Sequence, residues 1–261
     1  SSMAYLALTR EITPAFGSGE LTYLDREHVD VDRARAQHDA YESALRVLGC
    51  VVERLPADPD MGDAAFIEDT AVVLDELAVI TRPGAESRRR ETARVAEALR
   101  LRRPIAALLG PATLDGGDVL PIERTVYVGQ STDGNGRTND AGLRQLEAMV
   151  ASQGYRVQPV PFSGCLHLKT AVTRVADDMV LLNPGWVSPN SFPGMRVIEV
   201  DPDEPFAGNA LLIERRVLFP EEFPYTRRRL DEAGLRTMPT PMGELAKAEA
   251  GLTCCSILVR L

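Results

Sequence analysis

The chain has 261 residues, 44% of them hydrophobic and 26% charged, with a formal net charge of -9 at pH 7. That length allows one or two domains with an ample core, and no run approaches the roughly 18 apolar residues of a membrane span. The acidic balance argues against nucleic acid, whose phosphates need a basic face, and mildly favours a cationic small molecule.

The four cysteines are few and unevenly spaced. No basic segment followed by an apolar core opens the chain, so no signal peptide and a reducing, cytoplasmic setting are expected. Ser1-Ser2-Met3 reads as the scar of a removed tag.

Tyr5-Leu6-Ala7-Leu8 reads as a strand and Gly17-Ser18-Gly19-Glu20-Leu21-Thr22 as a flexible loop with one exposed apolar residue. Asp30 to Leu48 is a helix, because Val31, Ala34, Tyr41, Leu45 and Leu48 recur at three- and four-residue steps and Asp30 or Asp32 can cap it. A strand, Val51 to Pro56, follows. Phe66 and Ala71-Val72-Val73-Leu74, a turn at Asp75-Glu76, and Leu77-Ala78-Val79-Ile80 make a hairpin, and Ser87 to Leu101 a basic helix.

This unit of strand, hairpin and helix recurs. A second hairpin joins Gly117–Leu120 to Val126–Val128, before a helix from Ala141 to Gln153. A third joins Lys169–Val175 to Met179–Asn183, with a Pro- and Gly-rich stretch to Gly194 in place of a full helix. A fourth joins Asn209–Ile213 to Arg216–Phe219, before a helix from Tyr225 to Ala233. The fifth has only Ser256–Leu261 and must complete itself with the N-terminal strand. Hairpins starting about every 40 to 53 residues suggest a radial array, and closing it with both termini in one unit removes free sheet edges. One closed, propeller-like α/β domain spanning residues 1–261 is expected.

Glu68-Asp69, Asp115, His167 and Cys254 lie just before or at the start of successive hairpins. In a radial array such positions converge on the axis. Cys254 and Cys255 begin a strand, where neighbours point to opposite faces, so one can face a cleft while the other packs inside. Both are equally readable as small core fillers. His167, among apolar residues, is either a hydrogen-bonded core histidine or the base serving a thiol nucleophile. A free thiol has a pKa of about 8.5, so attack at neutral pH needs a nearby cation, from His167 or from the substrate. Asp115 in Thr113-Leu114-Asp115-Gly116-Gly117-Asp118 is either turn chemistry or the carboxylate that orients the imidazole. Asp63, Glu68 and Asp69 are solvated acids or, together, a cradle for the planar guanidinium fork. Arg88 opens a basic run and Arg137 follows a glycine-rich loop. Both are solvated by default, or bind the far, anionic end of a substrate.

Phe66-Ile67-Glu68-Asp69, Ile80 through Arg89, Thr113 through Asp118, Leu166-His167-Leu168-Lys169 and Thr253-Cys254-Cys255-Ser256 together resemble dimethylarginine dimethylaminohydrolase, in register along nearly the whole chain. The resemblance implies a five-bladed α/β propeller of the pentein type. It implies hydrolysis of Nω-methylated arginines to citrulline and methylamine or dimethylamine, without a metal or other cofactor, by a monomer or homodimer. Cys254 would be the nucleophile, His167 the acid and base, and Asp115 its orienting acid. Asp63, Glu68 and Asp69 would hold the guanidinium, Arg88 and Arg137 the substrate carboxylate, and Leu21 would be the apolar tip of a lid. Three features depart from the family pattern: a longer loop before Arg137, a longer lid, and Glu249-Ala250 where Asp-Gly is expected near the substrate. An arginine deiminase shares this logic but typically carries an acid two residues after the histidine, where this chain has Lys169. A ribosome-binding module of the same fold has no use for the thiol, base and acids.

Overall fold

The computed structural model describes residues 4–261, so the three residues that read as a tag scar lie outside it. β1 (Tyr5–Arg10) leads through α1 (Val31–Val47) to β2 (Val51–Leu55), and β3 (Ala71–Val73), β4 (Ala78–Ile80), α2 (Thr92–Arg100) and β5 (Ile105–Ala107) follow. Next come β6 (Val119–Ile122), β7 (Thr125–Ser131), α3 (Asp140–Ala151) and β8 (Arg156–Phe162). A single turn, α4 (Leu168–Ala171), precedes β9 (Val172–Ala176), β10 (Met179–Leu182) and β11 (Arg196–Glu199). The chain ends with β12 (Leu211–Ile213), β13 (Arg216–Pro220), α5 (Pro224–Glu232), β14 (Arg236–Thr240), α6 (Gly243–Ala246) and β15 (Ile257–Arg260).

These strands form five three-stranded sheets: β15-β1-β2, β3-β4-β5, β6-β7-β8, β9-β10-β11 and β12-β13-β14. In each, the middle strand pairs antiparallel with its hairpin partner and parallel with the third strand. The first sheet contains both ends of the described chain, with Leu6 opposite Val259 and Leu8 opposite Ile257. This is the five-bladed α/β propeller that the repeats imply.

The ring closes because each middle strand is apolar on both faces. Leu6 and Leu8 pack toward the β3-β4-β5 sheet while Ala7 between them packs toward β12-β13-β14. Val79, Tyr127, Leu181 and Leu218 likewise face one neighbour, and the residues flanking each face the other. Five apolar clusters thus fill the five gaps between blades, and such two-faced strands read as continuous apolar runs rather than alternations. Each of the five runs is legible in the sequence for this reason.

The outer parallel strands are different. β8 carries Pro159 and Pro161, and β11 and β14 are polar and largely half-exposed. As edge strands buried on one face at most, they tolerate proline and charge, so their pattern is weak, and only β2 was expected. The expected basic helix from Ser87 is tighter at its start, running as a 3₁₀ stretch Glu86–Glu91 before α2.

The expected strand from Lys169 begins three residues later, after α4. That shift is general. Helical turns at Ile67–Thr70, Gly116–Asp118, Leu168–Ala171 and Thr253–Cys255 precede four of the hairpins. They raise the backbone at the inner end of each blade and aim side chains at the axis.

Candidate active site

Cys254 and Cys255 sit in such a turn, not on a strand. The thiols still diverge: Cys255 is fully buried in the apolar cluster beneath α1, and Cys254 faces a pocket at the axis. That pocket is walled by Glu20, Asp63, Phe66, Asp69, Arg88, Asp115, Arg137, Leu166, His167, Ala248, Glu249 and Cys254.

Two glycines bring the blades together there. A Cβ on Gly116 would lie 2.0 Å from the Glu68 carbonyl oxygen, and one on Gly117 would lie 2.7 Å from His167 Nδ1. Neither glycine has a positive φ. The Asp-Gly-Gly sequence therefore serves close approach rather than turn geometry.

His167 Nε2 lies 2.8 Å from Asp115 Oδ2, and Asp115 Oδ1 accepts from the Gly84 N–H at 2.9 Å. Both side chains are buried. Burial opposes a charge on the imidazole, but Asp69, the bond to Asp115 and the charge of Asp118 outweigh it and push His167 up to about 10. Burial, then the charges of Glu68 and Asp69, push the Cys254 thiol well above its ordinary value. Both shifts favour an imidazolium and a neutral thiol in the free site at neutral pH. Asp118 steadies this arrangement, accepting from the Leu168 N–H at 3.0 Å and from Thr138 Oγ1 at 2.6 Å.

Arg88 is buried with every guanidinium nitrogen engaged. Nη1 donates to Asp69 Oδ2 at 2.7 Å, Nε and Nη2 to the two oxygens of Glu91, and Nη2 also to the Phe66 carbonyl at 2.9 Å. Acids orient it, and one N–H of Nη1 is left over at the pocket wall. Arg137 differs: its Nη2 donates to the neutral Thr22 hydroxyl at 2.8 Å. The longer loop does not lift it away. A Cβ on Gly84 would lie 2.5 Å from the Arg137 carbonyl, so the absent side chain lets this segment sit down on the pocket.

The loop of residues 17–24, where a lid is expected, reaches the pocket wall at Glu20. Asp63 Oδ2 accepts from the Glu20 N–H at 2.8 Å, Ser87 Oγ donates to Glu20 Oε1 at 2.7 Å, and Tyr23 Oη donates to Asp133 at 2.5 Å from the lengthened loop. The space left in the pocket is about 20 Å³, room for roughly one water molecule.

Eight of the ten sequence-predicted residues line this one pocket, and Leu21 and Glu68 do not. Leu21 is half-buried in the lid. Glu68 faces the other way, with Oε2 2.7 Å from Lys169 Nζ and Oε1 accepting from Thr253 Oγ1 at 2.9 Å. With Lys169 and Thr253 it forms part of the wall of a second, wider funnel. Sequence reasoning passed over Glu20, Glu91 and Asp118 as supports. The second acid of the Asp-Gly-Gly-Asp run was the available signal for Asp118, whereas nothing local marks Glu91 as the partner of Arg88.

Asp69, Asp115 and His167 offer ligand atoms within 4.8 Å of one another, as do His38, Asp39 and Glu42 on α1. A guanidinium contacts each cluster: Arg88 pairs with Asp69 in the first, and Arg54 bridges Asp39 and Glu42 in the second.

No family model matches the chain. Comparison with curated proteins finds N(G),N(G)-dimethylarginine dimethylaminohydrolase of Streptomyces coelicolor, 43% identical over 97% of this chain and 96% of that one. The enzyme of the same name from Pseudomonas aeruginosa is 32% identical over 87% and 89%. Its solved structure, a cysteine-to-serine variant complexed with citrulline, superposes with a TM-score of 0.90 at 29% identity over the whole of both chains. The N-terminal domain of a cyanobacterial arginine dihydrolase, 17% identical, shares the fold at a TM-score of 0.86 over 99% and 98%. Fold and relatives together make this an amidine hydrolase of the guanidine-modifying, pentein-fold class. The chain belongs to the dimethylarginine dimethylaminohydrolase family.

Proposed function

We propose that the chain hydrolyses asymmetric dimethylarginine and monomethylarginine to citrulline and dimethylamine or methylamine, through a covalent thiouronium on Cys254. One observation carries this reading: Cys254 and the His167–Asp115 pair share a small pocket whose other walls include the carboxylates of Asp63, Asp69 and Glu249. A planar cation is the ligand such walls suit. Phe66, Leu166 and Ala248 add apolar surface for N-methyl groups.

Binding of the guanidinium favours the thiolate, and the thiol proton leaves to solvent. Cys254 Sγ attacks the guanidinium carbon, giving a tetrahedral adduct. The bond from that carbon to the methylated nitrogen breaks with its electron pair staying on nitrogen. His167, protonated at rest, supplies the proton, and the free amine departs. The neutral imidazole then takes a proton from water as its oxygen attacks the thiouronium carbon. The C–S bond breaks with its electron pair going to sulfur, the remaining hydroxyl proton passes to that sulfur, and citrulline leaves with the neutral thiol restored. Asp115 keeps the imidazole oriented throughout, and Asp69 and Asp63 hold the cation. Arg137, bonded only to the Thr22 hydroxyl, is the main cation for the substrate carboxylate, and Arg88 offers that end the remaining N–H of Nη1. Glu68, tied to Lys169 and Thr253, supports the guanidinium from behind.

A citrulline assay with asymmetric dimethylarginine, monomethylarginine and arginine in parallel tests this. Citrulline from the methylated substrates, little from arginine and none from Cys254→Ser is the expected result. Turnover of arginine alone makes the enzyme a deiminase, and silence with all three overturns the reading.

A further inference from the structure

Glu249 joins the lid to the pocket through the two oxygens of one carboxylate. Oε1 accepts from three consecutive lid amides: Thr22 at 2.7 Å, Tyr23 at 2.6 Å and Leu24 at 2.7 Å. Oε2 is buried and has no hydrogen-bond partner. Among the described residues only His38 Nε2, on α1, shares that state. The backbone of Glu249 sits at φ 60°, a left-handed conformation that non-glycine residues adopt where the surroundings impose it. The segment after α6 is therefore bent so as to carry this side chain inward, to the pocket wall.

The two oxygens have opposite consequences for the lid. With the loop in this position the pocket offers about 20 Å³, too little for the side chain of an arginine derivative, so binding requires the loop to move. Closing gives Oε1 three donors. It also takes Oε2 out of water with nothing in exchange, and a buried acceptor without a donor is costly. A donor inside the pocket removes that cost. Asp63 also holds the lid, at Glu20, but it leaves no oxygen in this unpartnered state.

We infer that Glu249 couples lid closure to arrival of the guanidinium: Oε1 is the hook for the lid amides, and Oε2 is the acceptor that a guanidinium N–H completes. The closed lid is then favoured most when the pocket holds a cation with N–H groups to give, which is differential binding to one of two states. The side chain is long enough to serve both tasks. The inference rests on the guanidinium reading above for the ligand, but the hook itself does not.

Hydrogen exchange at the amides of residues 22–24, followed by mass spectrometry, separates the two parts. Cys254→Ser provides a non-turning background. In the free protein, adding Glu249→Ala is expected to speed exchange at 22–24 by about tenfold or more, while exchange in β13 stays unchanged. Adding Glu249→Gln leaves an oxygen for the lid but puts an NH₂ group where the second acceptor was. Free-state protection should therefore stay within a few-fold of the parent. Asymmetric dimethylarginine should add protection at 22–24 in Cys254→Ser and little in the Glu249→Gln double variant.

Equal exchange in the free parent and the Glu249→Ala form overturns the hook. Equal ligand-induced protection in the parent and the Glu249→Gln form overturns the coupling. If the parent shows no ligand response although the unsubstituted enzyme releases citrulline, the coupling also falls. If there is neither ligand response nor citrulline, the methylated-arginine reading fails and the coupling with it, while the free-state comparison still decides the hook.

Discussion

The floor of the pocket and its roof are built from different bonds. On the floor, Asp69, Arg88, Glu91, Asp115 and His167 are all buried, and their side chains hold one another: Arg88 between Asp69 and Glu91, His167 against Asp115. On the roof, the lid is half-exposed, and it is held mainly by backbone amides that donate to Asp63 and Glu249 and by the hydroxyls of Thr22 and Tyr23. A buried, mutually satisfied network sets geometry and charge before any substrate arrives. A loop held by a few bonds to pocket side chains opens at little cost, and opening is what a site of this size requires. The imidazolium and neutral thiol of the resting enzyme belong to the floor, and access belongs to the roof.

Substitutions should therefore separate by region. The largest effect is expected from Asp115→Asn, which keeps the shape but removes the charge that orients and favours the imidazolium. Turnover should fall about 10² to 10⁴-fold with KM nearly unchanged, and steady-state kinetics that instead show a raised KM alone would move Asp115 to the binding machinery. Arg88→Met leaves Glu91 as an unpaired buried carboxylate and Asp69 with only His167 and the Gly117 N–H, a loss of about 3–5 kcal/mol. Denaturant unfolding checks it, and a variant of native stability with weakened substrate binding would make Arg88 an open carboxylate contact.

The resting thiol gives the third test. Its pKa lies well above the ordinary value, so the thiolate fraction, and alkylation of Cys254 by iodoacetamide, should rise about tenfold per pH unit from neutral pH upward. Rapid alkylation at pH 7 that falls only in acid would show a thiolate already formed, and would break the assignment of charge to the floor. The smallest effect is expected on the roof side. Arg137→Gln removes a charged donor whose resting partner is only the Thr22 hydroxyl. KM should rise about 10-fold, the loss of one charge-assisted hydrogen bond, with kcat and unfolding midpoint kept. A kcat loss of equal size would place Arg137 with the floor.

Much of this was readable before the fold was seen. Five apolar runs marked the middle strands because each is buried on both faces, and their spacing gave the five blades. The types of the reacting groups, Cys254, His167 and Asp115, followed from their equivalent places just ahead of the hairpins. The outer strands β5, β8, β11 and β14 were missed because edge strands carry no strong pattern.

What the linear order left open was decided by tertiary contacts that join residues far apart in the chain. Arg88 and Arg137 look alike as cations at a loop and both reach the pocket wall, yet burial beside Asp69 and Glu91 engages most donors of the first, whereas the second, seated on Gly84, is bonded only to the Thr22 hydroxyl. Glu68 and Asp69 are neighbours, but Lys169 draws the first to the funnel while Gly117 and Arg88 hold the second in the pocket. Sequence by itself determined which chemistry is present and how many blades carry it. Which groups are free, which are paired and what charge each bears depended on the fold, because desolvation and hydrogen bonding are set by the neighbours that folding supplies.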